Sequence, residues 1–275
     1  MSALLAMTAG LLVVMTGHAE SRRLIQIGGN GPKVRVASTP KLCPICRNTL
    51  SGEYYFDKCS NPGTLKQLVW SDMSPIAAHL YQSVDALKPT VTASCVRFIG
   101  GDTSGQFLAG SATYRFAWDG VHYTANTIIA AVSHPVTITR PWVYFQSSYA
   151  FGYESMLHYC TYPGRGLGAY NPNFIIRNSG IYSNSNHIYI YIRNTGTNLM
   201  ECYEDGVAIG STTGAINAGN ASSSHNIWIG GNCYAANSFQ YFDTVNIGGI
   251  LTWDSVLSPA DQYAAMKYLK ARVKW

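Results

Sequence analysis

The sequence predicts an all-β fold, a two-sheet antiparallel sandwich with an extended N-terminal arm and one short C-terminal helix. Three observations carry this. Short apolar runs with period-2 alternation recur along the body between glycine-rich turns; the chain holds 26 Gly and 19 Tyr, and only 12% of its 275 residues are charged. Asp205-Gly206 stands between two such runs, and a type I′ hairpin turn needs the positive φ that Asn, Asp and Gly tolerate. No helical period appears until Ser258-Pro259-Ala260-Asp261, which supplies a serine N-cap, a proline at the first helical position and an acid in the first turn.

Taken in order, the chain opens with an uncharged stretch, residues 1–17. Three readings compete for it. A secretory signal would be cleaved after Ala19, although no Lys or Arg precedes the apolar run. A membrane anchor would need about 17 apolar residues or more, so this run is at the lower limit. The third reading is an apolar arm that docks on a partner subunit. Residues 21–49 follow, with Pro32, Pro40 and Pro44 and with Gly28, Gly29 and Gly31 but no sustained periodicity, which predicts an extended linker or arm. Residues 1–50 are therefore one segment and residues 51–275 a single β domain.

Charge follows the same division. The net charge is +5, and residues 1–50 carry Arg22, Arg23, Lys33, Arg35, Lys41 and Arg47 against Glu20 alone. The body is neutral. Specific nucleic-acid binding is not expected, because it needs clustered Lys and Arg to replace counterions. The basic arm suits an acidic surface instead.

Strands are predicted over Glu53–Asp57, Lys66–Trp70, Cys95–Ile99, Gln106–Ala109, Thr127–Val132, Trp142–Ser147 and Ser155–Cys160. Further strands follow over Asn173–Arg177, His187–Arg193, Leu199–Glu204, Val207–Ile209, Ile227–Ile229 and Gly249–Trp253. Gly230-Gly231 predicts a tight bend where side chains would clash. In the terminal helix, Tyr263, Met266, Leu269 and Val273 share near-helical spacing and are expected to cover an open end of the sandwich.

These residues resemble a known family. Val69-Trp-Ser-Asp-Met-Ser, then Tyr81-Gln and Lys88-Pro-Thr, is similar to the opening of concanavalin A-like, LamG-type jelly-roll domains. Val96-Arg-Phe-Ile-Gly-Gly-Asp with Gln106-Phe-Leu resembles a strand pair of that family. So do Tyr203-Glu-Asp-Gly, Ile229-Gly-Gly and Trp253-Asp-x-x-Leu-Ser-x-x-Asp, in the right order. The ending, Tyr268-Leu to Lys274-Trp275, resembles a tail seen in phage and bacterial members, and the motifs together span residues 53–275. The resemblance implies a jelly roll of the kind that serves in adhesion and scaffolding. The cysteines at 43–59 and the apolar N-terminus depart from the pattern.

Chemistry is sparse in the linear sequence. Glu201, Glu204 and Asp205 are the nearest approach to a glycosidase carboxylate set. Asp205 belongs to the turn, however, and a period of two puts Glu201 and Glu204 on opposite strand faces. No Gly-x-Ser-x-Gly elbow or helical His pair appears, and Arg165 lies in a glycine-rich loop without a strand–loop–helix context. No enzymatic activity is expected. Cys43, Cys46 and Cys59 with distant His79 are the only set near a zinc count, against buried thiols or a disulfide as the plainer reading; Asp102 and Asp119 are too few for calcium. No cofactor or metal is expected.

The binding candidates lie on two alternating strands. In 187–193, Ile188, Ile190 and Ile192 are expected to enter the core, while His187, Tyr189, Tyr191 and Arg193 face outward. In 142–146, Trp142, Tyr144 and Gln146 oppose Val143 and Phe145. Together the outward side chains would form a shallow platform on which sugar rings stack. The plainer reading, which weighs more, is that cross-strand aromatic pairs stabilise the sheet or face a subunit.

The expected function is a structural or adhesion module on the surface of a virus or phage particle, joined to other subunits of a particle or filament through its N-terminal arm and reaching cell-surface glycans. The alternative is a secreted or membrane-anchored bacterial lectin-like protein.

Overall fold

The computed structural model describes residues 42–61, 67–100, 105–110, 125–133, 143–144, 158–160, 166–168, 185–194, 196–197, 199–212, 228–230, 232–235, 238–240 and 244–275. The chain divides into two units, Met1–Leu42 and Cys43–Trp275. The strands of the second unit begin with β1 (Leu50–Ser60), β2 (Leu68–Asp72), β3 (Leu80–Gln82), β4 (Thr90–Val91), β5 (Val96–Phe98) and β6 (Leu108–Ala109). Next are β7 (Ala125–Ser133), β8 (Val143–Tyr144), β9 (His158–Cys160), β10 (Gly166–Gly168) and β11 (Asn186–Asn194). Last are β12 (Leu199–Glu204), β13 (Val207–Thr212), β14 (Trp228–Ile229), β15 (Asn232–Ala235), β16 (Ser238–Gln240), β17 (Val245–Trp253) and the helix α1 (Pro259–Val273). The predicted strand Asn173–Arg177, Gly231 and residues 1–41 lie outside the described residues.

Among the described residues every strand pairing is antiparallel, as the sequence predicts for an all-β sandwich. The main ladder runs β13-β12-β11-β7-β17-β1-β2-β3-β6-β14-β8, with β5 beside β17 and β4 beside β5. β1 is the element shared by both halves. Its first part pairs with β17 from Leu50↔Trp253 to Tyr55↔Gly249, and its register with β2 shifts between Tyr54 and Cys59. An irregularity of this kind bends a strand and raises its twist, so one continuous ladder can fold over on itself.

Two cores result, one on each side of the central strands. Between the sheets lie Tyr54, Trp70, Phe98, Leu108, Ile128, Ala130, Val132, Ile229 and Ile250. On the other side lie Tyr55, Ile129, Ala131, Leu251 and Trp253, covered by Ala265, Met266, Leu269 and Val273 of α1. Alternation along each strand therefore sorts side chains between two buried layers. This corrects the expected place of the helix: it covers a sheet face, not an open end. Tyr263 is corrected too, being 56% exposed, because it follows buried Gln262 by one residue and so points about 100° away from it.

Local chemistry fixes the helix there. The Ser258 hydroxyl accepts the Asp261 N–H at 3.2 Å and donates to the Asp261 carboxylate at 2.6 Å, and Lys274 ends the helix in the left-handed region. Thr127 Oγ1 on β7 donates to Ser255 O and accepts from Leu257 N, tying the helix lead-in to the sheet it covers. A glycine pair lets the helix end approach. A Cβ at Gly249 would lie 2.9 Å from Tyr54 O and 3.0 Å from Leu269 Cδ1, and one at Gly248 would lie 3.0 Å from the Trp275 ring. The Gly230 bend is as predicted: φ is +94°, and a Cβ would strike the Phe98 ring and Gln106 O.

Residues 43–49, expected as arm, belong to the folded unit. Cys43 is fully buried, and its N–H donates to Glu53 Oε1 at 2.6 Å. Arg47 pairs with Glu53 Oε2 at 2.9 Å and donates to Met73 O at 3.1 Å. Asp72, the middle residue of the Trp70-x-Asp72-x-Ser74 motif, accepts from the N–H groups of Glu53, Ser74 and Ala78 and from the Ser74 hydroxyl. That motif is a turn-holding device.

One buried carboxyl opposes folding. Burial lifts Asp254 to about 6, partly offset by the Ser51 hydroxyl, and Asp254 Oδ1 has no hydrogen-bond partner among the described residues. An unfolded Asp titrates near about 3.9. The folded state therefore holds this proton more tightly, so stability falls as pH rises through the window from about 4 to 6 and stays lower above it. Asp254→Asn should raise the melting temperature at pH 7 and flatten its change between pH 4 and 6; an unchanged melting temperature at pH 7 would refute this.

Candidate functional site

β11 decides how much of the expected platform survives. It lies inside the ladder, paired with β7 from Asn186↔Ser133 to Asn194↔Ala125 and with β12 from Tyr189↔Glu204 to Asn194↔Leu199. The three isoleucines pack under α1, and Tyr189 and Tyr191, each 1% exposed, pack between the sheets. The outward assignment of the two tyrosines is therefore wrong. Alternation separates the faces correctly, but the helix covers one and the second sheet the other. The plainer reading of the aromatic residues, as part of the sheet's own packing, fits this burial.

Of the remaining platform residues, the described backbone places Arg193 on β11 and Tyr144 on β8. Arg193 pairs through its backbone with Met200 and Asn126, and its side chain lies outside the described residues, as do Trp142 and Gln146. Tyr144 pairs through its backbone with Trp228 on β14. β8 ends the ladder opposite β13, with β7, β17, β1, β2, β3, β6 and β14 between it and β11. The two predicted strands are thus far from being neighbours in one sheet.

His187, at the start of β11, is the exception. It lies where the strand leaves the core, with its side chain 18% exposed. Nδ1 is 2.8 Å from Asp205 Oδ2 and 3.9 Å from Glu204 Oε1, and Nε2 is 2.9 Å from the Ser185 hydroxyl. The hairpin supplies the acid. Asp205 occupies the β12–β13 turn at φ 51°, its N–H donates to Ile188 O at 2.8 Å, and its Oδ1 accepts the Ile188 N–H at 2.9 Å. A carboxylate oxygen only accepts, so Nδ1–H donates to Asp205, and in the neutral imidazole Nε2 is then the nitrogen that accepts from the Ser185 hydroxyl. Ser185 and His187 share a strand side because they are two residues apart.

The linear sequence points to His187 alone of this group. It reads Asp205 as a turn residue, whereas its backbone makes the turn and its carboxylate reaches back to His187. The available signal was a Ser-x-His opening a strand, followed by an Asp-Gly turn in the next hairpin.

Other candidates separate. Glu201 accepts from the Tyr203 hydroxyl at 3.0 Å on the helix side, and Glu204 approaches His187 on the other, as the period of two requires. Cys43 packs under α1 and Cys59 between the sheets, so they stand on opposite sides of β1 and cannot share one ion. Burial pushes the Cys43 thiol up to about 11 and that of Cys59 up to about 12, away from the thiolate form that binds metal. Among the described residues, Cys43, Cys46, Cys59, Cys95 and Cys202 are free thiols.

No family model matches the chain, and no curated protein matches it by sequence. Solved structures share its fold. A Trypanosoma rangeli sialidase complex matches with TM-score 0.57 and 12% identity over 86% of this chain and 34% of that one. The binding domain of botulinum neurotoxin DC in complex with SialylT matches with TM-score 0.54 and 12% identity over 81% of this chain and 52% of that one. A structure titled for ganglioside-dependent cell entry of botulinum neurotoxin type C gives the same values. The chain thus spans a third to a half of the structures it resembles. The expectation that this protein is not an enzyme does not stand, because its fold is found within sialidase structures.

The burial of β11 makes a quantitative prediction. Tyr191→Ala should cost about 3–5 kcal/mol of unfolding free energy, the range for emptying an aromatic core site, in a urea titration. A loss under about 1 kcal/mol would mean the ring is at the surface.

Proposed function

We propose that the folded unit is a carbohydrate-recognition module, displayed on the surface of a virus or phage particle with residues 1–42 docking onto the assembly. The observation that carries the recognition reading is the shared sandwich. It recurs at TM-scores of 0.53–0.54 in structures titled as complexes with difluorosialic acid, sialic acid and SialylT, from a trypanosome enzyme and a bacterial toxin. A fold alone does not set function, so the reading also rests on residues. With Tyr189 and Tyr191 in the core, Trp142, Tyr144, Gln146, Arg193 and His187 remain of the residues the sequence nominates for sugar binding, and Trp142 is the one whose substitution tests the reading.

The particle setting is supported by the N-terminal segment, where an uncharged stretch precedes Arg22, Arg23, Lys33, Arg35 and Lys41, with Glu20 the one acid before residue 43. The same uncharged stretch, ending in Gly17-His18-Ala19, also fits export of a bacterial lectin-like protein. The native N-terminus separates the two: a mature start near Glu20 selects export.

Recognition is tested on a glycan array carrying sialylated glycans and their asialo counterparts, using the full chain. Retention is expected, with Trp142→Ala weakening it at least about tenfold, equivalent to about 1.4 kcal/mol, at unchanged circular dichroism. A folded protein that retains no glycan overturns the proposal.

A further inference from the structure

The Ser185–His187–Asp205 group goes beyond carbohydrate recognition and does not depend on it. If this group only closed the β12–β13 hairpin, the two bonds to the Ile188 backbone, from Asp205 N–H at 2.8 Å and to Asp205 Oδ1 at 2.9 Å, would suffice. The structure adds a chain of side-chain hydrogen bonds, from Asp205 Oδ2 to His187 Nδ1 at 2.8 Å and from His187 Nε2 to Ser185 Oγ at 2.9 Å. Each nitrogen faces the partner that nucleophilic catalysis requires: Nδ1 meets the carboxylate, and in the neutral imidazole the Nε2 lone pair meets the Ser185 hydroxyl. Such groups are recognised by geometry and not by chain order, so the missing Gly-x-Ser-x-Gly elbow does not count against this one.

The surroundings fit the same chemistry. Asp205 is bonded to the Ile188 main chain through both its own N–H and its Oδ1, which fixes its carboxylate as an acceptor for the imidazole. Glu204 Oε1 lies 3.9 Å from Nδ1, a second carboxylate beside the imidazole. Ser185 is exposed, which lets an ester approach from solvent.

We propose that Ser185, His187 and Asp205 form a nucleophilic relay that hydrolyses short-chain acyl esters at this end of β11. Ser185 Oγ attacks the ester carbonyl carbon while its proton passes to His187 Nε2. The tetrahedral intermediate collapses, the carbon–oxygen bond to the leaving alcohol breaks, and His187 returns the proton to that oxygen. Water then attacks the acyl-serine, giving a proton to His187 Nε2, which protonates Ser185 Oγ as the carboxylic acid departs. No oxidant or second substrate besides water is consumed. Ser185 and His187 are the catalytic residues, and Asp205 is a positioning residue.

The test uses the full chain, a fluorophosphonate probe and p-nitrophenyl acetate. Peptide mapping should place the covalent adduct on Ser185, and both Ser185→Ala and His187→Ala should lose it. Ser185→Ala should also lower ester turnover at least about tenfold at an unchanged melting temperature, since the residue is exposed. Asp205→Asn keeps the acceptor for Ile188 N–H but offers Nδ1 a donor. Its kcat should therefore fall at least about tenfold with KM within about twofold, a split that mere loosening of the hairpin would not produce. A folded wild-type protein with no adduct on Ser185, or with the same turnover as Ser185→Ala, overturns the proposal.

Discussion

Coverage of both faces of the central sheet is the constraint on which the rest of this structure depends. A sheet with one wet face would leave half of each strand for solvent contacts. Here β1, β17, β7 and β11 lie between a second sheet layer and α1, so successive residues enter one core or the other. Full burial of a large apolar side chain contributes about 1.5–3 kcal/mol, and the helix secures that for Ile129, Ile190, Leu251 and Trp253 at once. Its own hydrophobic residues gain equally. The paired glycines Gly248 and Gly249 are the local condition for this, since side chains there would hold the helix away.

Two-sided coverage also forces polar groups inside, and their satisfaction sets where the folded unit starts. Glu53 on β1 is fully buried, and its carboxylate is met by Cys43 N–H, the Tyr55 hydroxyl and the Arg47 guanidinium. An unpaired charge at that depth would cost several kcal/mol, so residues 43–47 are bound to the sandwich by the need to complete the site. Tyr55 also lies 3.2 Å from the Tyr268 hydroxyl, and Arg272 stacks over its ring at 4.4 Å while pairing with Asp57. One polar network thus links the first strand, the segment before it and the last helix.

What the sequence made legible follows from how local each signal is. The Asp205-Gly206 turn, the Ser258-Pro259 helix start and the Gly230 bend depend on the chemistry of a few adjacent residues, and all stand in the structure. Alternation in β11 was equally plain, but alternation says only that two faces differ. Which face meets solvent depends on whether α1 lies on the sheet or across its end, and a helical stripe does not name its target. The Ser185–His187–Asp205 group was hidden for a related reason. Two of its members open a strand and the third sits in the turn of a later hairpin, so strand register, not sequence spacing, brings them together.

The functional consequence is a shift of attention from the face of β11 to its end. Aromatic residues that look like a ligand platform serve the core, while the strand's first residues carry an ordered set of polar groups reaching solvent. The claim beneath this account is that Tyr189 and Tyr191 are interior. Hydroxyl-radical footprinting of the native protein tests it residue by residue. The account predicts that both tyrosines are protected to the level of fully buried Trp70 and Trp253, while Tyr263, 56% exposed, is oxidised readily. Oxidation of Tyr189 and Tyr191 at the rate of Tyr263 would contradict it.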